Sequence, residues 1–181
     1  MRLMIASDLH GSDTHSAKLI GAFEREAPER LILLGDLLYH GPRNDLPEGY
    51  DPRKVFERLN LLAGRLLAVR GNCDSEVDQM VLDFPIMADY ALVYHAGREI
   101  FLTHGHLLGP DNPPQLRPGD ALISGHTHVP TWDERVGIWY LNPGSVSLPK
   151  QDTPHGYMVL DDAGFTWKTL DGAPYHALAL S

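Results

Sequence analysis

Seven side chains that can bind divalent metal ions occur in five short motifs of the sequence. The motifs are Asp8-Leu9-His10, Gly35-Asp36, Gly71-Asn72, Thr103-His104 and Gly125-His126-Thr127-His128. Their carboxylate, amide and imidazole groups offer oxygen and nitrogen donors, and seven donors exceed what one catalytic ion uses. We therefore predict two half-sites that share one carboxylate, with ions about 3.5–4 Å apart and a water between them whose pKa falls to about 7.

The charge of such a cluster favours an anionic substrate. Two divalent ions, the carboxylates of Asp8 and Asp36 and one hydroxide leave a net charge of about +1, which suits a phosphoester. Cys73 is the single cysteine of the chain, so the sequence excludes an internal disulfide framework and a zinc site built from paired thiolates. Any metal must therefore be held by nitrogen and oxygen.

Each motif follows a short apolar run that predicts a strand buried on both faces. The runs are residues 3–6, 31–34, 66–69, 100–102 and 121–123. Ligands gather outside the carboxyl ends of such strands, so we expect the five loops to converge on one volume. Residues two apart in an extended segment project to the same side, so the pairs Asp8/His10 and His126/His128 are each predicted to chelate one ion.

The remaining elements predict a layered α/β domain. Segments 14–27 and 51–63 have amphipathic patterns, with Ser12 or Asp13 capping the first helix and Asp51 the second, and segment 75–82 predicts a shorter third helix. The runs 132–135, 138–141, 157–160, 165–170 and 175–180, separated by turn residues, predict a strand-rich meander. A length of 181 residues with 43% hydrophobic content suits one domain over 1–181.

The net charge and the N-terminal sequence argue against several classes of function. The formal net charge of −9 argues against stable binding to nucleic acid or to anionic membranes, because such binding depends on Lys and Arg neutralising phosphates. The apolar stretch at the N-terminus is too short for a signal peptide or a membrane span. We expect a cytoplasmic protein.

The five motifs, in this order and spacing, resemble those of the calcineurin-like metallophosphoesterases. The similarity extends to the small bacterial YfcE-type phosphodiesterases through segments 40–44, 46–50, 70–80 and 142–147. The resemblance implies an α/β fold in which a two-sheet β-sandwich is flanked by helices, in four αββα layers. It also implies the ligand sets, which are Asp8, His10 and His128 for the first ion, Asn72, His104 and His126 for the second, and Asp36 as the bridge.

The same resemblance implies a hydrolase, namely a dinuclear metal-dependent phosphodiesterase that cleaves small phosphodiesters by attack of the metal-bridging hydroxide. Asp36, Asn72 and His104 are the residues expected to contribute most directly to catalysis. Manganese is the ion most common in the family, and the nitrogen and oxygen donors are equally compatible with iron, zinc, nickel or cobalt. The oligomeric state, including a homo-oligomer, stays open.

One position departs from the family pattern. Many members have histidine after the Gly-Asn pair, where it helps the reacting phosphoester, whereas this chain has Cys73. A thiol is a poor general acid at neutral pH, so we expect either help from another group or a preference for good leaving groups. A packing role for Cys73 is the favoured alternative to a catalytic one.

Four further residues have predicted roles near the ligands. Asp74 is expected to accept hydrogen bonds and to orient a ligating imidazole. Arg43 either clamps a phosphate oxygen or is an ordinary exposed arginine, and His40 and His106 line the cleft or support the ligands. Segment 142–145 is predicted to form a turn beneath the site.

Other function classes remain as alternatives. A phosphomonoesterase, including a protein phosphatase, is the first, but segment 35–41 lacks the Asp-Arg-Gly ending of protein phosphatases. A non-catalytic scaffold is the second, since the fold serves in eukaryotic trafficking complexes, yet this chain keeps all seven ligands. A DNA nuclease is disfavoured by the acidic composition and by the absence of the large extra domains of those relatives.

Overall fold

The computed structural model describes residues 1–180. In chain order its elements are β1 (Leu3–Ala6), α1 (Asp13–Glu26), β2 (Arg30–Leu33), α2 (Pro52–Asn60), a 3-10 turn (Ala63–Arg65), β3 (Leu66–Ala68), α3 (Glu76–Gln79), β4 (Tyr90–His95), β5 (Arg98–Thr103), β6 (Ala121–Ile123), β7 (Thr131–Arg135), β8 (Ile138–Asn142), β9 (Gly156–Asp161), β10 (Gly164–Thr169) and β11 (Pro174–Ala179). All five strands predicted to precede the motifs are present. The domain predicted over 1–181 ends at Ser181, which lies outside the described residues.

The strands form two mixed sheets. The first has the order β11-β10-β9-β1-β2-β3 and the second the order β4-β5-β6-β8-β7. In the first sheet β1, β2 and β3 are parallel, and in the second β5, β6 and β8 are parallel. The prediction of one C-terminal meander was wrong, because β7 and β8 pair in the second sheet whereas β9, β10 and β11 return to the first.

The two sheets pack face to face, and each strand shows why its sequence is continuously apolar. In β1, Leu3 and Ile5 face the core between the sheets, while Met4 and Ala6 face the core under the helices. All four side chains are buried. Burial on both faces of the strand removes the alternation that a half-exposed strand would show.

The three predicted helices begin within one residue of the predicted positions, but α2 ends at Asn60 rather than at 63 and α3 ends at Gln79 rather than at 82. The Ser12 hydroxyl accepts a hydrogen bond from the His15 amide at 3.2 Å, and α1 ends before Ala27, whose backbone is left-handed. Asp51 accepts from the Lys54 amide at 3.2 Å to start α2. Both helices pack on the outer face of the first sheet.

The layer arrangement differs in one respect from the predicted four-layer αββα arrangement. The two-sheet sandwich is confirmed, but the outer face of the second sheet is covered by segment 104–120, which contributes Leu108 and Leu116 against Phe101 and Leu122. Within residues 1–180 this segment contains no helix. In the same part of the chain, no helix combines the length and the apolar character needed to cross a bilayer.

The topology brings two sets of loops to the same place. The loops after β1, β2 and β3 leave the first sheet, and those after β5 and β6 leave the second. Hydrogen bonds join the two sets, from His104 Nδ1 to the Leu34 carbonyl at 2.7 Å and from the His126 amide to Asp8 Oδ2 at 3.1 Å. The candidate site is therefore shared between the sheets rather than built on one of them.

Candidate metal centre

The predicted donors of the first half-site meet around His10. Its Nε2 atom lies 3.6 Å from Asp8 Oδ1, 3.6 Å from Asp36 Oδ2 and 3.3 Å from His128 Nε2. His128 Nε2 in turn lies 3.4 Å from Asp8 Oδ1. The side chains of Asp8, His10 and His128 are all buried. One cation-sized position is therefore surrounded by a carboxylate and two imidazoles.

The donors of the second half-site meet around His104. Its Nε2 atom lies 3.0 Å from Asn72 Oδ1, 3.2 Å from His126 Nδ1 and 3.5 Å from Asp36 Oδ2. The same oxygen, Asp36 Oδ2, thus faces His10 in one group and His104 in the other. The geometry is that of two donor groups joined through one carboxylate.

Backbone carbonyls fix which nitrogen of each buried imidazole faces the site. The Nδ1 atoms of His10, His104 and His128 lie at hydrogen-bond distance from the carbonyls of Tyr39 (2.9 Å), Leu34 (2.7 Å) and Leu148 (2.6 Å), respectively. A carbonyl can only accept, so Nδ1 carries the proton and donates. In the neutral imidazole the Nε2 lone pair is then directed at the cluster, which is the tautomer that a metal ligand needs.

One buried carboxylate oxygen has no hydrogen-bond partner among the described residues. Asp8 Oδ2 accepts from the His126 amide at 3.1 Å, whereas Asp8 Oδ1 is buried and unpaired. An unpaired buried anionic oxygen is costly unless a cation occupies the neighbouring space. Asp8, His10 and His128 form a group whose donor atoms all lie within 4.8 Å of one another, and Asp8, Asp36 and His104 form another. The residues present therefore fit divalent ions.

Backbone strain is concentrated at the same residues. Asp8, His10, Asp36, His126 and His128 all have positive φ, between 47° and 67°. Such conformations cost about 1–3 kcal/mol each in a non-glycine residue and persist at functional sites. The extended-segment argument for the two pairs was wrong, because neither pair is extended. His128 instead faces Asp8 and His10, while His126 faces His104.

Asp74 holds the loops that carry the donors. Its Oδ2 accepts from the amides of Asp36 at 2.8 Å and Gly71 at 2.7 Å, and its Oδ1 accepts from the Leu37 amide at 2.9 Å. Asp74 is therefore a hydrogen-bond acceptor, as predicted, but its donors are backbone amides rather than an imidazole. Gly71 is required here, because a Cβ atom would overlap the Asp36 carboxylate and amide.

The predicted turn lies beneath the site. The hydroxyls of Ser145 and Ser147 donate to the Asp8 carbonyl at 2.9 and 3.0 Å. Asn142 Nδ2 donates to the Gly125 carbonyl at 2.8 Å. The segment that crosses from the second sheet to the first thus ties the loop after β1 to the loop after β6.

Burial and neighbouring charges set the protonation of the donors. Burial raises the pKa of Asp36, but the His104 and His10 imidazoles outweigh it, and the net pKa lies well below its usual range. Burial lowers the pKa of His104, whereas Asp36 and Asp8 raise it, to about 9. Burial lowers the pKa of His126. The Asp36 carboxylate is thus ionised at neutral pH, and His104 holds a proton that a bound cation would displace.

An open cleft of about 460 Å³ lies over the donors. It is lined by segment 41–44, Asn72, Cys73, Thr127 and Lys150, together with Asp36, His126 and His128. The structure thus places Arg43, a predicted substrate contact, at the cleft. Lys150 was missed, because a lysine three residues after Ser147 carries no ligand signal. The turn at 142–147 would have been the cue, since Lys150 lies only three residues beyond it.

Comparison with known proteins assigns the family. The profile of the calcineurin-like phosphoesterase superfamily domain matches residues 1–163. Phosphodiesterase YfcE of Escherichia coli K12 is 52% identical over 162 residues, covering 90% of this chain and 88% of the relative. The chain is a calcineurin-like metallophosphoesterase. It is accordingly a metal-dependent phosphoesterase.

Solved structures agree with this assignment. The structure of E. coli YfcE, described as a phosphoesterase, superposes with a TM-score of 0.96 at 48% identity over 100% of both chains. Phosphodiesterase MJ0936 of Methanocaldococcus jannaschii is 28% identical in sequence and covers 80% of this chain and 83% of its own. Vps29 of Entamoeba histolytica, in complex with Zn²⁺, superposes with a TM-score of 0.60 at 20% identity over 100% of both chains, which shows the fold alone.

Cys73 lies beside the donors of this metallophosphoesterase without a charge of its own. Its Sγ atom lies within 4.8 Å of donor atoms of His10 and Asp36 and accepts from Asn72 Nδ2 at 3.2 Å. Burial raises the pKa of the thiol, and the Asp36 charge raises it further, to about 12. At neutral pH the group is a neutral thiol and a weak acid, as the sequence suggested.

The two other candidate histidines support the site from outside. His40 packs edge-on between Tyr39 and Tyr50, with ring centroids 4.8 and 5.3 Å away, and it does not line the cleft. His106 packs edge-on against His104 at 5.3 Å. Both rings therefore contact the surroundings of the donors rather than the space between them.

Proposed function

We propose that this metallophosphoesterase is a dinuclear phosphodiesterase that hydrolyses small phosphodiesters. The observation that carries the proposal is the position of Asp36 Oδ2, 3.6 Å from His10 Nε2 and 3.5 Å from His104 Nε2. A carboxylate oxygen between two separate donor groups is suited to bridge two ions. Relatives that carry the name phosphodiesterase, from E. coli and M. jannaschii, support the choice of diester substrates.

The proposed ligands follow the two donor groups. Asp8, His10 and His128 would hold the first ion, Asn72, His104 and His126 the second, and Asp36 both. Divalent ions held there would activate a water as the nucleophile and would supply positive charge for the transition state. The protein contributes fixed donors, because backbone carbonyls hold the tautomers of three imidazoles and Asp74 holds the loop of Asp36.

The donor set also bears on the choice of ion. Nitrogen and oxygen donors, with a neutral Cys73 thiol nearby, suit manganese and are compatible with iron, zinc, nickel or cobalt. We propose manganese as the working ion. The acidic composition, with a net charge of −9, supports action on small substrates rather than on nucleic acid, and we propose that the protein acts in the cytoplasm.

The diester preference is also supported by the chemistry around Cys73. No histidine occupies that position, and a thiol with its pKa raised to about 12 gives little help to a leaving group. Diesters with acidic leaving groups need least help. Phosphomonoesters are the second candidate substrates, and a non-catalytic role is the third candidate.

A matched substrate panel tests the proposal. Metal-free enzyme is reconstituted with Mn²⁺, Zn²⁺, Ni²⁺, Co²⁺ or Mg²⁺ and assayed on aryl and nucleotide phosphodiesters and on the corresponding monoesters. We expect diesters to be preferred with at least one ion, and His104→Ala to abolish turnover while His176→Gln, outside the motifs, retains it. A preference for monoesters with every ion would overturn the diesterase assignment. Inactivity with intact metal binding would favour a scaffold.

A further inference from the structure

Two cationic side chains line the cleft without an acidic partner. Arg43 and Lys150 are both exposed and both line the cleft over the donors. Within residues 1–180, neither forms an ion pair with a carboxylate. Although the chain has 24 acidic residues against 15 Lys and Arg, no carboxylate of the described residues pairs with either cation at this cleft.

Arg43 is presented by a tight turn. The Asn44 amide donates to the Gly41 carbonyl at 3.3 Å, and Asn44 Nδ2 donates to the His40 carbonyl at 2.8 Å. Gly41 has a φ of 79°, and a Cβ atom there would lie 3.1 Å from Cys73 Sγ. The turn therefore packs against Cys73, and it carries Arg43 at the edge of the cleft.

Lys150 is held beside the first donor group. Its amide donates to the His128 carbonyl at 3.2 Å. Its carbonyl accepts from the Thr153 amide at 3.2 Å and from the Thr153 hydroxyl at 2.7 Å. The backbone position of Lys150 is thus fixed relative to a proposed ligand, while its ammonium group is free to reach into the cleft.

We infer that the cleft recognises phosphodiesters that carry a second anionic group on one of their two arms, with Arg43 and Lys150 as the residues that bind it. This inference rests on the proposed function, since the first phosphate is the one that the metal centre would cleave. A cleft of about 460 Å³ leaves room beyond a single phosphate. The guanidinium fork suits a phosphate or carboxylate, and the lysine adds a point charge.

The test uses p-nitrophenyl phosphodiesters that share one leaving group. Their second arms are 4-carbamoylphenyl, which is neutral, or 4-carboxyphenyl, which has nearly the same shape and one negative charge. A third substrate carries a phosphate on that arm. The ratio of kcat/KM for an anionic arm to that for the neutral arm is measured with the manganese-loaded enzyme, Arg43→Gln, Lys150→Gln and both changes together.

We expect the native enzyme to favour an anionic arm about tenfold, as one charge-assisted contact would provide, and the double variant to lose most of that ratio. Arg30→Gln is the matched control, because Arg30 is also exposed and starts β2 at the end opposite the site; its ratio should equal the native one. A native ratio near one, or a ratio unchanged in the double variant, would overturn the inference. Failure to cleave even the neutral diester would instead count against the proposed function.

Discussion

Asp74 positions the loops that carry the donors but is not itself a proposed metal ligand. The substitution Asp74→Asn therefore tests the positioning alone. Asp74 accepts three backbone hydrogen bonds, two on Oδ2 from Asp36 and Gly71 and one on Oδ1 from Leu37. Asparagine has only one acceptor oxygen. If that oxygen replaces Oδ2, the bonds from Asp36 and Gly71 survive, and the new amide group faces the Leu37 N–H as a second donor.

The expected loss of stability follows from the number of hydrogen bonds that Asp74→Asn removes. Losing one charge-assisted bond and leaving a buried donor unpaired costs about 2–4 kcal/mol. Burial raises the pKa of Asp74, so removing its charge recovers part of the desolvation cost. We therefore expect Asp74→Asn to lower the free energy of unfolding by about 2 kcal/mol. Leu37 follows Asp36 directly, so losing the bond from its amide should also loosen the Asp36 loop and weaken metal binding by about 10–100-fold.

Urea unfolding and metal titration measure the two effects. Asp120→Asn is the matched control, because Asp120 is buried and accepts from the Glu99 and Arg117 amides at 3.1 and 2.8 Å but precedes β6, at the end away from the site. It should destabilise the fold and leave metal affinity unchanged. The reasoning would be refuted by an Asp74→Asn variant within about 0.5 kcal/mol of the native protein with native metal affinity.

Three further outcomes are expected. Cys73→Ala should change kcat for an aryl diester by less than about threefold, since the thiol is a weak acid; a loss of a hundredfold would assign it a catalytic role. Burial and the neighbouring His155 lower the pKa of His15 to about 4, so the unfolded chain binds more protons between pH 6.5 and 4. The free energy of unfolding should therefore fall by about 1–2 kcal/mol, after allowance for solvent screening, as the pH falls from 6.5 to 4. The urea midpoint of His15→Gln, plotted against pH over this range, should show a shallower slope than that of the native protein. Manganese at about 100 times its Kd should stabilise the metal-free protein by about 2.7 kcal/mol, and an unchanged melting temperature would contradict a folded-state site.

The strands that precede the site could be predicted from the sequence because they are buried on both faces and their sequences are therefore continuously apolar. Residues 3–6 and 121–123 are continuously apolar, and they match β1 and β6 to the residue. Strand β4 escaped prediction, since its exposed positions are Tyr90, Leu92 and Tyr94 rather than polar residues. A nearly apolar run without alternation cannot be assigned to a strand by periodicity alone, and no ligand motif follows β4 to mark it as one.

The types of residue in the site could be predicted from the sequence, whereas the backbone conformation of those residues could not. The types of the donors and their places after strands were sufficient to bring Asp8, Asp36 and His104 together. The assumption of extended backbone at His126 and His128 failed, because both residues have positive φ and project their rings to different groups. Local strain of this kind depends on tertiary contacts that no local pattern contains.

The most direct test of the central claim is a count of metal ions per chain alongside turnover, in the native protein and in Asp36→Asn. We expect two ions and diesterase activity for the native protein. For the variant we expect fewer than two ions and a loss of activity of about a thousandfold or more. Asp133→Asn, on the exposed strand β7, should match the native values. An Asp36→Asn protein that keeps two ions and full turnover would contradict the shared carboxylate.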